Sequence, residues 1–259
     1  FGWSRFRILF KEGSKIVRKR FSERYIKNNS INEIESNKKI IYFPLHLEPE
    51  RSLSTDAPFY TNQLEVISNI AKALPVDYSL YVKEHPAMKL LGWREISFYK
   101  KIKNLPNVFL VNPFLKPEIL YEKCSLVITI TGTAAFEAAF YSKPAIVMSD
   151  LIFSSLTSIE RIKSFEELSD KIKISLNKKI ENMELNKYVK IVERDSFQID
   201  LDSIRQDFSN SVFYGGYLVD FEISEKKLEK FLDNHDSDFE KLALEYIKKM
   251  KKYNQKMNR

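Results

Sequence analysis

Residues 126–148 read LVITITGTAAFEAAFYSKPAIVM. An apolar run, Leu126–Ile130, leads into Thr131, Gly132 and Thr133. A stretch of small residues follows over Ala134–Tyr141, then Lys143-Pro144 and a second apolar run, Ala145–Met148. This order predicts strand, loop, helix, strand. Apolar runs of four or five residues bounded by turn residues suit strands covered on both faces, which is how strands of a parallel sheet read. A helix between two such strands makes a βαβ unit.

The same alternation extends upstream. Ile40–Leu45 predicts a strand, and Gln63–Leu74 predicts a helix stopped by Pro75. Tyr78–Val82 predicts a strand, Arg94–Lys103 a helix that ends before Pro106, Val108–Val111 a strand and Pro117–Lys123 a short helix. The class is therefore α/β, a Rossmann-like parallel sheet flanked by helices, with helical N- and C-terminal extensions. After Asp150 the strand signal fades. Phe165–Leu176, Glu184–Val192, Lys226–Leu232 and Phe239–Lys252 have helical spacing; Phe213–Phe221, with Gly215 and Gly216, reads as a loop or turn. The Lys-rich tail is expected to fray. Three segments result: a basic helical segment and connection over 1–37, the Rossmann-like domain over 38–210, and a helical extension over 211–259.

Composition narrows the function classes. With 44% hydrophobic and 30% charged residues, the chain is globular rather than disordered or fibrous. Six glycines and nine prolines leave no low-complexity linker. A single cysteine, Cys124, excludes an internal disulfide and a Cys-rich zinc site, and fits a reducing compartment. Cys124 itself reads as a small buried hydrophobe. Three histidines (His46, His85 and His235) leave little for a His-based metal site, and no metal is expected. His235, in a run of Asp and Asn, reads as solvated. No run of about 18 apolar residues is present, and charges interrupt every apolar stretch at the start, so neither a spanning helix nor a signal peptide is read. The chain opens on Phe1 rather than Met, and further sequence upstream is expected.

Residues 1–28 hold nine Lys/Arg and two Glu, which is the whole surplus of +7; the remaining basic and acidic residues cancel. Basic character confined to one segment argues against a nucleic-acid binder. Within that segment Trp3, Phe6, Phe10, Val17, Phe21 and Tyr25 recur at roughly helical spacing among the basic residues. Such a helix either packs on a neighbouring domain or lies on an anionic membrane surface. The location expected is cytoplasmic, peripheral on the inner face of the membrane in the second case.

Three polar clusters carry the chemistry. Thr131, Gly132 and Thr133 link a buried strand to a helix start, where free N–H groups suit phosphate; Glu137 lies one turn on and can accept from ribose hydroxyls. The plainer account is that Thr133 caps the helix and Glu137 is solvated. Lys83, Glu84, His85 and Pro86 follow the second strand, and ligands of parallel sheets bind beyond the carboxyl ends of strands. There His85 can act as an acid or meet phosphate charge, as can Lys83; the plainer account is an exposed turn. Pro44, Leu45, His46, Glu48, Pro49 and Glu50 follow the first strand, with Gln63 at the next helix start. Three clusters after three strands of one sheet should converge. No nucleophile elbow, Walker loop or HExxH motif is present.

Taken in order, Tyr42-Phe43-Pro44-Leu45-His46 with Pro49-Glu50, Gln63, Val82-Lys83-Glu84-His85-Pro86, Pro106-Asn107-Val108, Thr129-Ile130-Thr131-Gly132-Thr133, Glu137-Ala138 and Lys143-Pro144 resemble the capsular polysaccharide biosynthesis family, which includes bacterial Kdo transferases and is related to GT-B glycosyltransferases. The resemblance covers roughly residues 38–150. It implies the C-terminal, nucleotide-sugar-binding half of a GT-B fold, with donor-binding motifs on His85 and Pro86, on Thr131–Thr133 and on Glu137. It also implies transfer of a sugar from a nucleotide donor, CMP-Kdo being one candidate, to a glycan or glycolipid acceptor. The family's acceptor side and usual base lie on an N-terminal half that is not recognisable in residues 1–37.

The site expected therefore has His85 and His46 as catalytic candidates. Lys83, Glu84, Pro86, Thr131, Gly132, Thr133, Glu137, Glu50 and Gln63 are the donor-binding candidates, with no cofactor beyond the donor as substrate. A polyol-phosphate transferase using CDP-glycerol, a sugar-nucleotide epimerase and a non-catalytic membrane-associated scaffold stay open as alternatives.

Overall fold

The computed structural model describes residues 19–35, 37–49, 51–212 and 224–257. The chain divides into two compact units, one ending at Tyr188 and the other beginning at Val189. The described part of the first unit opens with a helix over 19–29 (α1). It continues through β1 (Lys39–Pro44), α2 (Arg51–Asp56), α3 (Gln63–Ala73), β2 (Tyr78–Lys83), α4 (Met88–Leu91), α5 (Ile96–Lys103), β3 (Val108–Val111) and α6 (Pro117–Lys123). Then come β4 (Leu126–Thr129), α7 (Ala134–Phe140), β5 (Ala145–Val147), β6 (Ile159–Arg161) and α8 (Leu168–Leu176). A helix α9 (Asn182–Asp195) crosses the division.

All six strands are parallel, in the order β3-β2-β1-β4-β5-β6. The chain builds from β1 outward to β3, then returns to lay β4 on the other side of β1. Connections on the two sides of that junction run in opposite senses, so a crevice opens at the carboxyl ends of β1 and β4. The expected Rossmann-like sheet is thus present.

Both faces of the sheet are covered. Ile41, Phe43, Leu80 and Val82 join Val66, Ile70, Tyr99, Ile102 and Ile172 in the main core, under α3, α5 and α8. The alternate residues face the other way, as a two-residue period requires. Tyr42 there meets Tyr121 edge-on at 5.7 Å. Ala135, Ala138 and Ala139 of α7 are buried, and small side chains let that helix lie close on the sheet.

The five expected strands are found within a residue or so of their expected bounds. β6 was not expected. It has three residues at the sheet edge, with Glu160 held by Lys171 at 2.8 Å and by Lys178 at 2.6 Å, so no apolar run marks it.

The second unit contains α10 (Leu201–Val212), α11 (Glu225–Asn234) and α12 (Asp236–Met257). α10 also escapes the sequence reading, since few apolar residues mark it. The turn expected at Phe213–Phe221 lies outside the described residues, as do residues 1–18 of the basic segment. The tail expected to fray is helical to Met257, as its run of Lys, Leu, Glu and Met favours. His235 is not solvated as expected. Its Nε2 lies 2.9 Å from Asp207 and its Nδ1 3.3 Å from Asp238, with Phe231 5.0 Å from its ring. Hydrogen bonds to the two carboxylates raise its pKa.

Candidate functional site

β1 ends at Pro44, but the ladder continues one step: the Leu45 N–H donates to the Lys83 carbonyl at 2.8 Å. The chain then turns at His46. Gln63, 1% exposed at the start of α3, holds that turn from behind. Its Oε1 accepts from the His46 N–H at 2.7 Å, and its Nε2 donates to the His46 carbonyl at 3.2 Å. A buried amide satisfied at both ends is a positioning group.

The imidazole of His46 reaches across the junction. Its Nε2 accepts from the Thr131 N–H at 3.3 Å and lies 3.3 Å from Oγ1 of Thr129 at the end of β4. That hydroxyl also accepts from the Gly132 N–H at 3.2 Å. A Cβ on Gly132 would stand 2.6 Å from Thr129 Oγ1, so glycine is what lets the loop lie flush on the strand end. The first two loop amides are therefore turned inward. This differs from the expectation that the whole loop offers its N–H groups to phosphate.

What the loop offers instead is the Thr131 hydroxyl, buried and without a hydrogen-bond partner among the described residues. Thr133 Oγ1 donates to Glu137 Oε1 at 2.8 Å, and the Tyr121 hydroxyl donates to Glu137 Oε2 at 2.9 Å. Glu137 is thus held in place from α6 and from the loop, with lone pairs to spare. Burial, then Tyr42 and Glu137, raise the Tyr121 phenol far above its usual value, so it stays a donor.

Lys83 and Glu84 are neighbours that diverge, as successive strand residues do. Glu84 turns to the α5 side and is saturated. Its Oε2 accepts from Arg94 Nε at 2.8 Å and from the Tyr99 hydroxyl at 2.9 Å, and its Oε1 accepts from the His85 N–H at 2.7 Å. Arg94 also donates to the His46 carbonyl at 2.5 Å and pairs with Glu48. Burial raises the Glu84 pKa; Arg94 and Tyr99 oppose it. This buried network links the loops after β1 and β2.

Lys83 turns to the α6 side. It is 6% exposed, and its ammonium has neither a hydrogen bond nor an ion pair among the described residues. Burial lowers its pKa; the carboxylates of Glu118 and Glu84 act against that from a distance. Such a group is costly to bury without a counter-charge.

These residues surround a cavity of about 550 Å³ at the carboxyl ends of β1, β2 and β4. Its wall includes Pro44, His46, Lys83, Thr131, Thr133 and Glu137, with His85 and Pro86 exposed at the rim. His85 Nδ1 accepts from the Ala87 N–H at 3.2 Å, which places the ring proton of the neutral form on Nε2 as a donor. Three clusters taken from the sequence thus share one cavity. Gln63 stands behind it and does not line it, and Glu50 lies outside the described residues.

The sequence profile of the family described as capsule polysaccharide biosynthesis protein matches residues 7–177. The chain belongs to this capsule polysaccharide biosynthesis family. No curated protein matches it. Among solved structures it is similar to the beta Kdo 2,7 transferase of KpsC from Thermosulfurimonas dismutans, at 16% identity over 58% of this chain and 47% of that one, with a TM-score of 0.41. The beta Kdo 2,4 transferase of the same KpsC gives 13% identity, 57% and 50% coverage and a TM-score of 0.41. UDP-GlcNAc 2-epimerase from Methanocaldococcus jannaschii gives 18% identity, 62% and 44% coverage and a TM-score of 0.42. At these identities the likeness is one of fold alone. The chain spans half or less of the length of each.

Three residues of this capsule-family site were missed from sequence. Arg94 stood within a stretch read as helix, and Tyr99 on the core side of that helix; nothing local marks either as a partner of Glu84. Tyr121, one turn after Pro117, was legible only as a helix residue. Cys124 is buried, with its thiol pushed up to about 12 by burial, which fits its reading as a core residue. No described helix is long and apolar enough to cross a membrane.

Proposed function

We propose that the cavity binds the phosphate-bearing part of a nucleotide-activated sugar, and that the chain serves glycosyl transfer in capsule polysaccharide synthesis. The observation that carries this reading is Lys83: a buried ammonium without a partner among the described residues, on the wall of a crevice-end cavity that also holds the Thr131 hydroxyl, likewise unpartnered among them. One cation and one hydroxyl donor, both short of acceptors, call for an oxyanion.

In this reading an acceptor hydroxyl attacks the anomeric carbon and gives up its proton to water, and the bond from that carbon to the nucleotide's phosphate oxygen breaks. The electron pair leaves with the nucleotide. Lys83 and Thr131 meet the phosphate charge in a site of low dielectric, where fixed donors count most. His85, with Nε2–H at the rim, donates to the same phosphate. Glu137 accepts from sugar or ribose hydroxyls. His46 keeps the loop in register rather than touching the reacting atoms. CMP-Kdo is one donor that fits the reading, with a glycan or glycolipid as acceptor.

A panel of CMP, CDP, UDP, GDP and ADP, read by ligand-observed NMR and thermal shift on the whole chain, tests it. Selective binding that Lys83→Met removes is the expected result. Binding of none by the folded chain, or binding that Lys83→Met leaves unchanged, overturns it.

A further inference from the structure

The cavity has two unlike ends. Pro117, Tyr121 and Ala134, from α6 and the start of α7, give one end an apolar and aromatic wall beside Glu137. At the other end stands Ser52 of α2, and Ser52 also lines a second hollow of about 450 Å³ with Arg51, Thr55 and Asp56. The two hollows meet at that serine. Their helices lie on opposite faces of the sheet. α2 is anchored by Leu53, 2% exposed, in the main core under α3, α5 and α8, whereas Tyr121 packs on Tyr42 of the other face. The strand ends that carry Lys83 and Thr131 run between them.

Helix periodicity builds the second hollow. Steps of one, three and four residues put positions 51, 52, 55 and 56 on one side of α2 and leave Leu53 on the other. All four side chains can hydrogen-bond, and no apolar side chain lines this hollow. Neither Arg51 nor Asp56 has an ion pair among the described residues. Asp56 Oδ1 lies 2.8 Å from the Thr55 hydroxyl, which leaves Oδ2 to accept from another donor. A guanidinium, a carboxylate and two hydroxyls match a polyhydroxylated ring, which offers donors and acceptors at short intervals. A nucleobase asks for apolar or aromatic partners against its faces, and the opposite end supplies them.

We propose that α2 carries the sugar subsite of the donor. The nucleoside lies toward α6 and α7, with its ribose on Glu137. The phosphate sits at the strand ends, and the sugar lies across Ser52 onto Arg51, Thr55 and Asp56. This rests on the reading of the cavity as a nucleotide-sugar site; it adds the direction of the donor and the residues that select its sugar.

Calorimetric titration of the whole chain with two matched pairs tests it: CMP and CMP-N-acetylneuraminate, UDP and UDP-N-acetylglucosamine. Arg51→Met and Asp56→Asn should each weaken the bound sugar conjugate about fivefold, the scale of one hydrogen bond, and leave the bare nucleotide unchanged. Both side chains are exposed, and the unchanged nucleotide affinity shows the variants folded. Glu137→Gln should weaken nucleotide and conjugate alike. If Arg51→Met and Asp56→Asn weaken both ligands equally or neither of them, or if nucleotides bind while neither conjugate does, the sugar subsite is overturned and the nucleotide site stands. Binding of no nucleotide removes the site on which the subsite rests, and the subsite with it.

Discussion

The Thr131 amide donates to Nε2 of His46 at 3.3 Å, joining the loop after β4 to the loop after β1. The two strands are neighbours in the sheet although 85 residues separate the two groups. The bond closes the floor of the crevice at the point where the connections on its two sides part.

Gly132 sits at the centre of that floor. Gly132→Ala forces a methyl to within 2.6 Å of Thr129 Oγ1, an atom one bond from its own Cβ and unable to swing far. Loss of about 1–3 kcal/mol of stability is expected, read as a drop in the chemical-denaturation midpoint. Adding Thr129→Ala removes the clashing atom, so the double variant should lose less than the sum of the two single losses. Additive losses would place the strain elsewhere.

Lys83→Met should leave the fold as stable as the parent or more so, because an unpaired buried ammonium is replaced by an apolar chain of similar length. The pH dependence follows from the lowered pKa. Between the folded value and 10.5 the unfolded chain binds the proton that the folded chain has released, so this group makes stability rise with pH across that window. Unfolding curves of parent and variant compared from neutral to alkaline pH should show that rise in the parent alone. A variant clearly less stable than the parent at pH 7 would mean that Lys83 has a partner.

Arg94→Met removes the cation that compensates Glu84 and leaves a buried carboxylate with one hydroxyl and one amide donor. A loss of about 3–5 kcal/mol is expected at neutral pH. Glu84 already has a raised pKa from burial, and a raised carboxyl binds its proton more tightly folded than unfolded. Its contribution to stability therefore falls as pH rises from 4.5 through the folded value, and loss of Arg94 widens that window. The variant should recover relative to the parent on moving from pH 8 to pH 5 in thermal melts; a pH-independent gap would remove Glu84 from the account.

Glu137→Gln keeps the size of the side chain and one acceptor oxygen. The fold should hold, while nucleotide affinity measured by titration should fall about tenfold, the scale of one charge-assisted hydrogen bond. Tyr121→Phe, which removes a donor to Glu137 but no wall of the cavity, should fall less. Unchanged affinity in Glu137→Gln would take this residue out of the site.

In the second unit, His235 lies between Asp207 and Asp238. Its folded pKa is raised, so its stabilising contribution is fully present below 6.5 and is lost as pH rises through the folded value. Asp207→Asn should flatten that dependence in thermal melts followed across pH 5 to 9. An unchanged slope would mean that the clamp does not form.

Much of this protein was legible in order along the chain. Buried strands announce themselves as short apolar runs, and polar residues that follow such runs mark the ligand edge of the sheet; that is why Lys83, His85, Thr131, Gly132, Thr133 and Glu137 could be named together. The divergence of Lys83 and Glu84 was legible in principle too, from the two-residue period of a strand. β6 and α10 were not, because a three-residue edge strand carrying Glu160 and a helix with few apolar residues leave no periodic signal.

Local pattern reports local conformation and which face is to be buried, because both depend on residues a few positions apart. It does not report what does the burying. The pairing of His46 with Thr131, the saturation of Glu84 by Arg94 and Tyr99 and the isolation of Lys83 among the described residues were decided only by tertiary structure. Each depends on groups brought together, or kept apart, by the order of strands and the reach of helices, and hydrogen bonding and desolvation act on those distances rather than on separation in sequence.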